Sequence, residues 1–130
     1  MSRTPSQGGL LFTGATAAIP LKDAGAFRES FRQRRCLVPV DAFYEWQKRE
    51  DGRQPFLFRR KDRAVFALAG LWEKWEYPGG RSLESCTILT TGANEFLSPI
   101  HDRMPVILAA RDYHRWLDPL LKDPKTLHPL

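Results

Sequence analysis

The sequence lacks the marks of a membrane or secreted protein. No apolar run approaches the roughly 20 residues that a membrane-spanning helix needs. The first residues also lack the basic segment followed by an apolar one that forms a signal peptide. We therefore expect a soluble, cytoplasmic protein without membrane association.

Cysteine is scarce. Cys36 and Cys86 have no spacing typical of a metal site. Both lie in apolar, strand-like runs, which indicates buried structural thiols, because a reactive thiolate needs exposure and nearby positive charge. No Gly-rich phosphate loop, serine triad or zinc-ligand spacing is visible either, so the sequence predicts neither a metal nor another cofactor.

Acidic residues are the minority among the charged ones. The 130 residues include 20 Lys and Arg against 15 Asp and Glu, a net charge of +5. This balance fits a polyanionic partner such as nucleic acid, although many basic proteins bind none. The hydrophobic fraction of 42% is typical of a globular chain, and the length suits one modest domain with one core.

Strand patterns dominate the sequence. The helical patterns are short: Phe27 and Phe31, four apart, predict a helix over residues 24–35, and Tyr113, Trp116 and Leu117 predict one side of another. Asp51-Gly52 predicts a hairpin turn. Apolar, alternating or β-branched runs predict strands over residues 36–40 and 43–48 with a break near Pro39, and over residues 55–59, 64–76, 83–91 and 106–108. We predict an α+β fold, mostly antiparallel β-sheet with short flanking helices.

Three adjacent ionisable residues lie between apolar flanks in residues 100–107. His101, Asp102 and Arg103 are hard to explain as core, because buried charges need partners. A turn that presents polar groups to a ligand explains them better. Neighbours in a strand face opposite ways, so Arg103 could hold a phosphate or carboxylate beside the imidazole of His101. The alternative is a histidine hydrogen-bonded at a strand entrance.

Glu45 lies between two large aromatics, Tyr44 and Trp46. It is either an exposed residue on an alternating strand or a carboxyl buried against aromatics, whose raised pKa suits a general acid or base. Trp46 is either a packing residue or a stacking partner for a nucleobase. Asn94 either caps a helical turn or offers its carboxamide to a ligand beside His101.

A basic patch ends the first predicted helix. Arg32, Arg34 and Arg35 either compensate the helix dipole and aid solubility or contact phosphates, and the two roles are compatible.

Five motifs, in order, resemble the SRAP family of SOS response associated peptidases, also called abasic-site processing proteins. The match extends over roughly residues 27–118. The motifs are RCLVPVDAFYEW (residues 35–46), AGLWE (69–73), TTGAN (90–94), IHDRMPVIL (100–108) and WLD (116–118).

The resemblance implies a β-rich α/β fold with a positive groove for single-stranded DNA, and a monomer associated with the nucleoid when DNA is bound. Family members capture abasic sites through a cysteine that directly follows the initiator methionine, whose amine and thiol close a thiazolidine on the sugar aldehyde. By motif, Glu45 would assist leader removal and sugar-ring opening, and His101 would act as acid or base in imine formation or reversal. Arg103, Trp46 and Asn94 would contact the DNA.

The sequence departs from the family pattern at its start. Family members begin Met-Cys-Gly-Arg, whereas this chain begins with Met1 and Ser2, and the family's Asn-Ala-Arg motif is absent near residues 15–17. The expectation is an irregular segment (residues 1–20), a partial SRAP-like domain (21–120) and an irregular tail (121–130). Because that cysteine is missing, we expect this chain to be inactive, or only partly active, in the hydrolase and lyase reactions of the family. The alternatives are a non-catalytic single-stranded DNA-binding module, using Arg103, Trp46 and the arginine patch, and a fragment without a stable fold.

The missing cysteine generates a direct test. A polypeptide of this sequence should form no stable covalent link with abasic single-stranded DNA, because no thiol adjoins its terminal amine. The two would be incubated together and separated by denaturing electrophoresis. A shifted band that survives denaturation would contradict this expectation.

Overall fold

Strands make up most of the chain that the computed structural model describes, residues 18–20 and 28–127. The predicted fold class, mostly antiparallel β with short helices, is confirmed. The helices are α1 (Arg28–Gln33), α2 (Tyr113–Leu117), which follows a 3₁₀ turn (Ala110–Asp112), and α3 (Pro124–Leu127). The strands are β1 (Ala18–Pro20), β2 (Arg35–Val40), β3 (Ala42–Arg49), β4 (Gly52–Arg59), β5 (Phe66–Glu76), β6 (Ser82–Gly92), β7 (Arg103–Pro105) and β8 (Ile107–Leu108).

The main sheet has the order β1-β6-β5-β2, with β7 paired to β6 and β8 to β5. Only β1 runs parallel to its neighbour among the described strands. The predicted break near Pro39 is wrong, because β2 continues through it to Val40 and pairs with β5 throughout. An edge strand tolerates proline because one of its two sides needs no ladder hydrogen bond. The interruption falls instead at Asp41.

Residues 103–108 fill a fork where β5 and β6 separate. Beyond the Gly70–Ile88 pair the two strands no longer pair with each other, and β7 then pairs with β6 while β8 pairs with β5. Val106 bonds to both sides: its carbonyl accepts the Ala69 N–H at 2.9 Å, and its N–H donates to Leu89 at 2.9 Å. The predicted strand at 106–108 is observed as Ile107–Leu108, and a further short strand, Arg103–Pro105, precedes it and pairs with β6.

The strands β3 and β4 form a separate two-stranded sheet. Arg49 pairs with Gly52 around the two-residue turn Glu50-Asp51, so the predicted hairpin is confirmed, with Gly52, at φ +135°, as the first residue of β4. Along β3, alternate side chains are partly buried and exposed. The inward face includes Phe43, which stacks on Phe58 with ring centroids 5.4 Å apart.

Two apolar clusters lie on opposite faces of β5, because its residues alternate between them. Residues Phe66 to Leu71 are all buried, as the strand prediction for an apolar run implied. One cluster packs the sheet against the helices and contains Phe31, Ala69, Leu71, Leu89, Leu108, Trp116 and Leu127. The other contains Val38, Phe66, Leu68 and Cys86.

Arg35 joins α1, β2 and α2. Its buried guanidinium donates hydrogen bonds to the carbonyls of Phe31, Trp116 and Asp118. It also lies 5.7 Å from the Phe31 ring centroid and 5.5 Å from that of Trp116. Burial lowers its pKa below the ordinary arginine value, against an opposing effect of Asp118. The phosphate-contact role considered for Arg35 is therefore wrong, because carbonyls and rings enclose the guanidinium.

Arg34, from the same patch, is also engaged. It pairs with Glu73 at 2.9 Å and donates to the Ser30 hydroxyl at 2.9 Å. Of the three arginines, Arg32 alone is exposed, whereas Arg34 is partly buried and Arg35 is buried. Arg34 and Arg35 of this patch therefore serve mainly to hold neighbouring segments together.

The C-terminal segment is more ordered than expected. The tail was predicted to be irregular, but Pro124–Leu127 forms a helical turn whose Leu127 is buried in the core. Leu117 is 46% exposed, so it does not share the buried side of Trp116 as predicted. Residues 1–17, 21–27 and 128–130 lie outside the described residues, and so do most of the predicted irregular N-terminal segment and Phe27.

Packing around Gly70 generates a stability test. A Cβ at this position would lie 2.9 Å from Val38 Cγ2 and 3.0 Å from Cys36 Sγ. Gly70→Ala should therefore lower the free energy of unfolding by about 1–3 kcal/mol through overpacking. Gly92→Ala is the control, since nothing lies within 4 Å of its Cβ position. Urea denaturation of both variants would measure this, and equal losses would contradict the packing argument.

Candidate active site

His101 lies in the turn that leads into β7. Its Nδ1 accepts the Arg103 backbone N–H at 3.0 Å and lies equally close to the Arg103 carbonyl. The same nitrogen is 3.3 Å from Asp102 Oδ1 and 3.8 Å from Glu45 Oε2. A neutral Nδ1 takes the N–H, whereas a protonated one would donate to the carbonyl or to a carboxylate. The predicted hydrogen bond at a strand entrance is present, and it orients the ring towards Glu45.

Glu45 faces inward from the middle of β3. Its side chain is 19% exposed, so the exposed alternative for this residue is wrong. Burial raises the pKa of the carboxyl above its ordinary value, nearby His101 opposes the rise, and Asp102 adds to it. A carboxyl with a raised pKa close to an imidazole is a usual acid–base pair. The structure thus brings together Glu45 from the hairpin and His101 from the turn that leads into β7.

Arg103 begins β7 beside this pair. Its Nη2 donates to the Thr90 carbonyl at 2.9 Å and to the Thr90 hydroxyl at 3.1 Å. Its Nε is buried and has no hydrogen-bond partner among the residues described. A guanidinium has five N–H donors, so Thr90 leaves others for an anion. Thr90 was missed in the sequence, because one threonine in a β-branched strand carries no separate signal.

Asn94 caps the turn that precedes His101. Its Oδ1 accepts the Leu97 N–H at 3.0 Å, and its carbonyl accepts the Ser98 N–H at 2.8 Å. The capping alternative is therefore observed, and direct contact with a ligand stays a prediction. The side chain also lines an apolar depression of about 610 Å³ between the hairpin and the main sheet, together with Phe43, Phe58 and Met104.

Trp46 lies on the outward face of the hairpin and is 49% exposed. Because successive strand residues point to opposite sides, it faces away from the Glu45 side chain. Trp46 is available for stacking, on a surface separate from the acid–base pair.

Gln47 is a second residue that sequence reasoning missed. Its amide donates to the Pro99 carbonyl at 2.9 Å and so ties the hairpin to the turn of His101. Its position two residues after Glu45 places it on the same inward face. That spacing was the only available signal.

The described residues contain no group of three or more His, Cys, Asp or Glu side chains that could hold a metal ion. None of the described helices is long and apolar enough to cross a bilayer.

Comparison with known proteins places this geometry in context. Residues 18–130 match the family described as SOS response associated peptidase (SRAP). The abasic site processing protein YoaM of Bacillus subtilis is 45% identical over 114 residues, which cover 87% of this chain and 50% of that protein. The abasic site processing protein HMCES of Xenopus tropicalis is 33% identical, over 77% of this chain and 37% of that protein.

A solved structure resembles the fold. A protein from Bacteroides thetaiotaomicron superimposes with a TM-score of 0.74 and is 29% identical, over 80% of this chain and 48% of that one. This chain spans about half the length of the curated Bacillus relative that it matches.

The raised pKa of Glu45 generates a pH test. The carboxyl binds its proton more tightly in the folded state, so its favourable contribution is complete below the ordinary value of 4.5 and is lost as pH rises through the raised pKa. Glu45→Gln should therefore gain stability relative to the wild type as pH increases from 4.5. Urea denaturation across that range would measure the gain, with Glu50→Gln in the exposed hairpin turn as the control. Parallel stability curves for Glu45→Gln and wild type would contradict the assignment.

Proposed function

The chain belongs to the SOS response associated peptidase (SRAP) family, and we propose that it acts on abasic sites in single-stranded DNA during the response to DNA damage. The observation that carries this proposal is the Glu45 carboxylate 3.8 Å from the His101 imidazole, whose Nδ1 also accepts the backbone N–H of Arg103 at 3.0 Å. The relatives named above are called abasic site processing proteins, which agrees with such a site.

The acid–base pair fits the chemistry of an abasic sugar. The sugar is mostly a closed hemiacetal, and opening it requires loss of the hydroxyl proton at the anomeric carbon and protonation of the ring oxygen. We propose that Glu45 transfers protons in this opening. The raised pKa of its carboxyl suits that task, because a general acid works best when its pKa is near the working pH.

His101 is proposed to serve the aldehyde that ring opening exposes. Formation of an imine from an amine and this aldehyde expels water, and the leaving hydroxyl needs a proton. An imidazole can supply that proton and take it back in the reverse reaction. The hydrogen bond from the Arg103 N–H holds the ring for this role.

Arg103 is proposed to bind the phosphate next to the lesion. Thr90 holds one nitrogen of the guanidinium, so the other donors keep a fixed direction. A fork held in this way suits the paired oxygens of a phosphate. Asn94 shapes the turn, and its exposed carboxamide is proposed to contact the DNA nearby.

The covalent step of the family would use a cysteine thiol next to a free amine. For the described residues we propose the proton transfers and the DNA contacts. The covalent link, and the peptidase and lyase activities, are proposed only for the family as a whole.

A second candidate function is a non-catalytic single-stranded DNA-binding module. The outward face of the hairpin favours it: Tyr44 is 64% exposed, Trp46 49% and Leu57 50%. Lys48 lies across from Arg53 on the same face. No acidic residue occupies an outward position of either strand. Exposed aromatics with cations and without anions are typical of surfaces on which bases stack.

Ring opening can be tested without a protein nucleophile. An abasic single-stranded oligonucleotide would be mixed with methoxyamine, which traps only the open aldehyde, and its conversion followed by electrophoresis. The wild-type chain should accelerate trapping, and Glu45→Gln should reduce the acceleration by about 10²-fold, a usual loss for a general acid or base. Glu50→Gln removes the same charge from the same hairpin and should have no effect.

Binding measured in parallel separates the two functions. Fluorescence anisotropy should show Glu45→Gln bound as tightly as wild type to the same oligonucleotide. No acceleration by the wild type, together with equal and steeply salt-dependent binding of intact and abasic strands, would favour the DNA-binding module. Absence of binding to both strands at low salt would overturn both functions.

A further inference from the structure

Glu45 and His101 belong to two units that are built separately. Glu45 is on the β3–β4 hairpin, which forms its own sheet, whereas His101 precedes a strand of the main sheet. An isolated two-stranded hairpin is marginal in water. The separation of the two side chains therefore depends on the contacts that hold the hairpin against the rest of the protein.

Phe58 of β4 packs edge-on against Phe96, with ring centroids 6.1 Å apart, and two further contacts flank Glu45 along the inward face of β3. Two residues before it, Phe43 packs edge-on against Phe66 with ring centroids 6.2 Å apart. Two residues after it, the Gln47 amide donates to the Pro99 carbonyl at 2.9 Å. Each contact is about 7 Å from Glu45 along the strand, at 3.3–3.4 Å per residue. The apolar contact can slide, whereas the hydrogen bond has a defined length and direction.

The acceptor belongs to the same turn as the histidine. Within this turn the Ile100 N–H donates to the Leu97 carbonyl at 2.9 Å, and the His101 N–H donates to the same carbonyl at 3.1 Å. Asn94 caps the turn at its start. Pro99 and His101 therefore move together, so a bond to the Pro99 carbonyl also fixes the hairpin relative to the imidazole.

We propose that Gln47 is a positioning residue whose hydrogen bond to Pro99 sets the separation between the Glu45 carboxylate and the His101 ring. Its consequence for catalysis rests on the function proposed above, whereas the positioning itself does not. The charged groups that act on Glu45 are His101 and Asp102, both from the turn that Gln47 holds. Loss of the bond should let the hairpin move away from both.

Gln54 provides a matched control. It is the cross-strand partner of Gln47, so the two residues lie on the same face of the hairpin. The Gln54 amide donates only to the carbonyl of its neighbour Pro55, at 3.3 Å, among the contacts of the described residues. Replacing either glutamine by methionine removes one amide of the same length. Only Gln47→Met removes a link to the turn of His101, together with a hydrogen bond of 3.0 Å from Arg49 Nε within the hairpin.

The experiment measures how strongly His101 acts on Glu45. The titration of the Glu45 carboxyl carbon would be followed by NMR in the chain without DNA. In the wild type, His101→Gln should raise the pKa of Glu45, because the imidazole lowers it. In a Gln47→Met background the same replacement should shift this pKa by less than half as much, whereas in a Gln54→Met background the full shift should remain.

A second variant guards against a general loss of structure. Gln47→Asn keeps the amide but is one methylene shorter, so it should lose the bond to Pro99 and behave as Gln47→Met does. Thermal unfolding would show that each variant is folded. An undiminished effect of His101→Gln on Glu45 in both folded Gln47 variants would overturn the proposal, and so would an equal reduction in Gln54→Met.

Methoxyamine trapping then separates this inference from the proposed function. If Gln47 positions a working pair, both Gln47 variants should slow the accelerated ring opening by about 10-fold and move its pH profile with the Glu45 titration, while Gln54→Met should not. If the NMR coupling falls but the wild type gives no acceleration, the positioning is correct and the catalytic function is wrong.

Discussion

The insertion of residues 103–108 between β5 and β6 is the constraint on which the rest of the structure depends. The backbone of Val106 bonds to both strands, so it closes a fork that would otherwise leave the donors and acceptors of two buried strands unpaired. The same segment contributes Met104 and Leu108 to the buried interior and starts at Arg103. The C-terminal end of the polar turn before it is therefore fixed by strand pairing, and the main sheet sets the position of His101.

The carboxylate reaches that turn by a different route. Glu45 lies on a hairpin whose inward face also contains apolar rings and Gln47. Along β3, the Phe43 ring packs before Glu45 and the Gln47 amide forms a hydrogen bond after it. Burying a carboxyl in this way costs free energy, which appears in the raised pKa of Glu45. Such a cost is typical of functional sites, where the stability of the fold is not the only constraint.

The sequence predicted much of the fold and a smaller part of the site. The hairpin turn before Gly52 and the continuous apolar run of β5 have strong local signals, whereas β7 is too short to be recognised without its partner. Along β3 the sequence showed that side chains alternate between two faces, but it did not show which face is buried. The larger aromatics Tyr44 and Trp46 face outward, because phenylalanines of β4 share the inward face with Phe43. Arg35 looked like a surface cation, since no local pattern reveals a cage made by carbonyls from distant segments.

The sulfurs of Cys36 and Cys86 lie 3.7 Å apart above Gly70, and this contact limits which substitutions these positions can accept. Three strands share one small volume there, and the absence of a side chain on the middle strand makes room for a thiol on each neighbour. A methyl group at position 70 would meet Val38 as well as both thiols, so replacement of one cysteine by alanine would not make room for it. Val38, Gly70 and the two cysteines therefore form a single packing unit spread over 50 residues of chain, in which a change at one position constrains the other three.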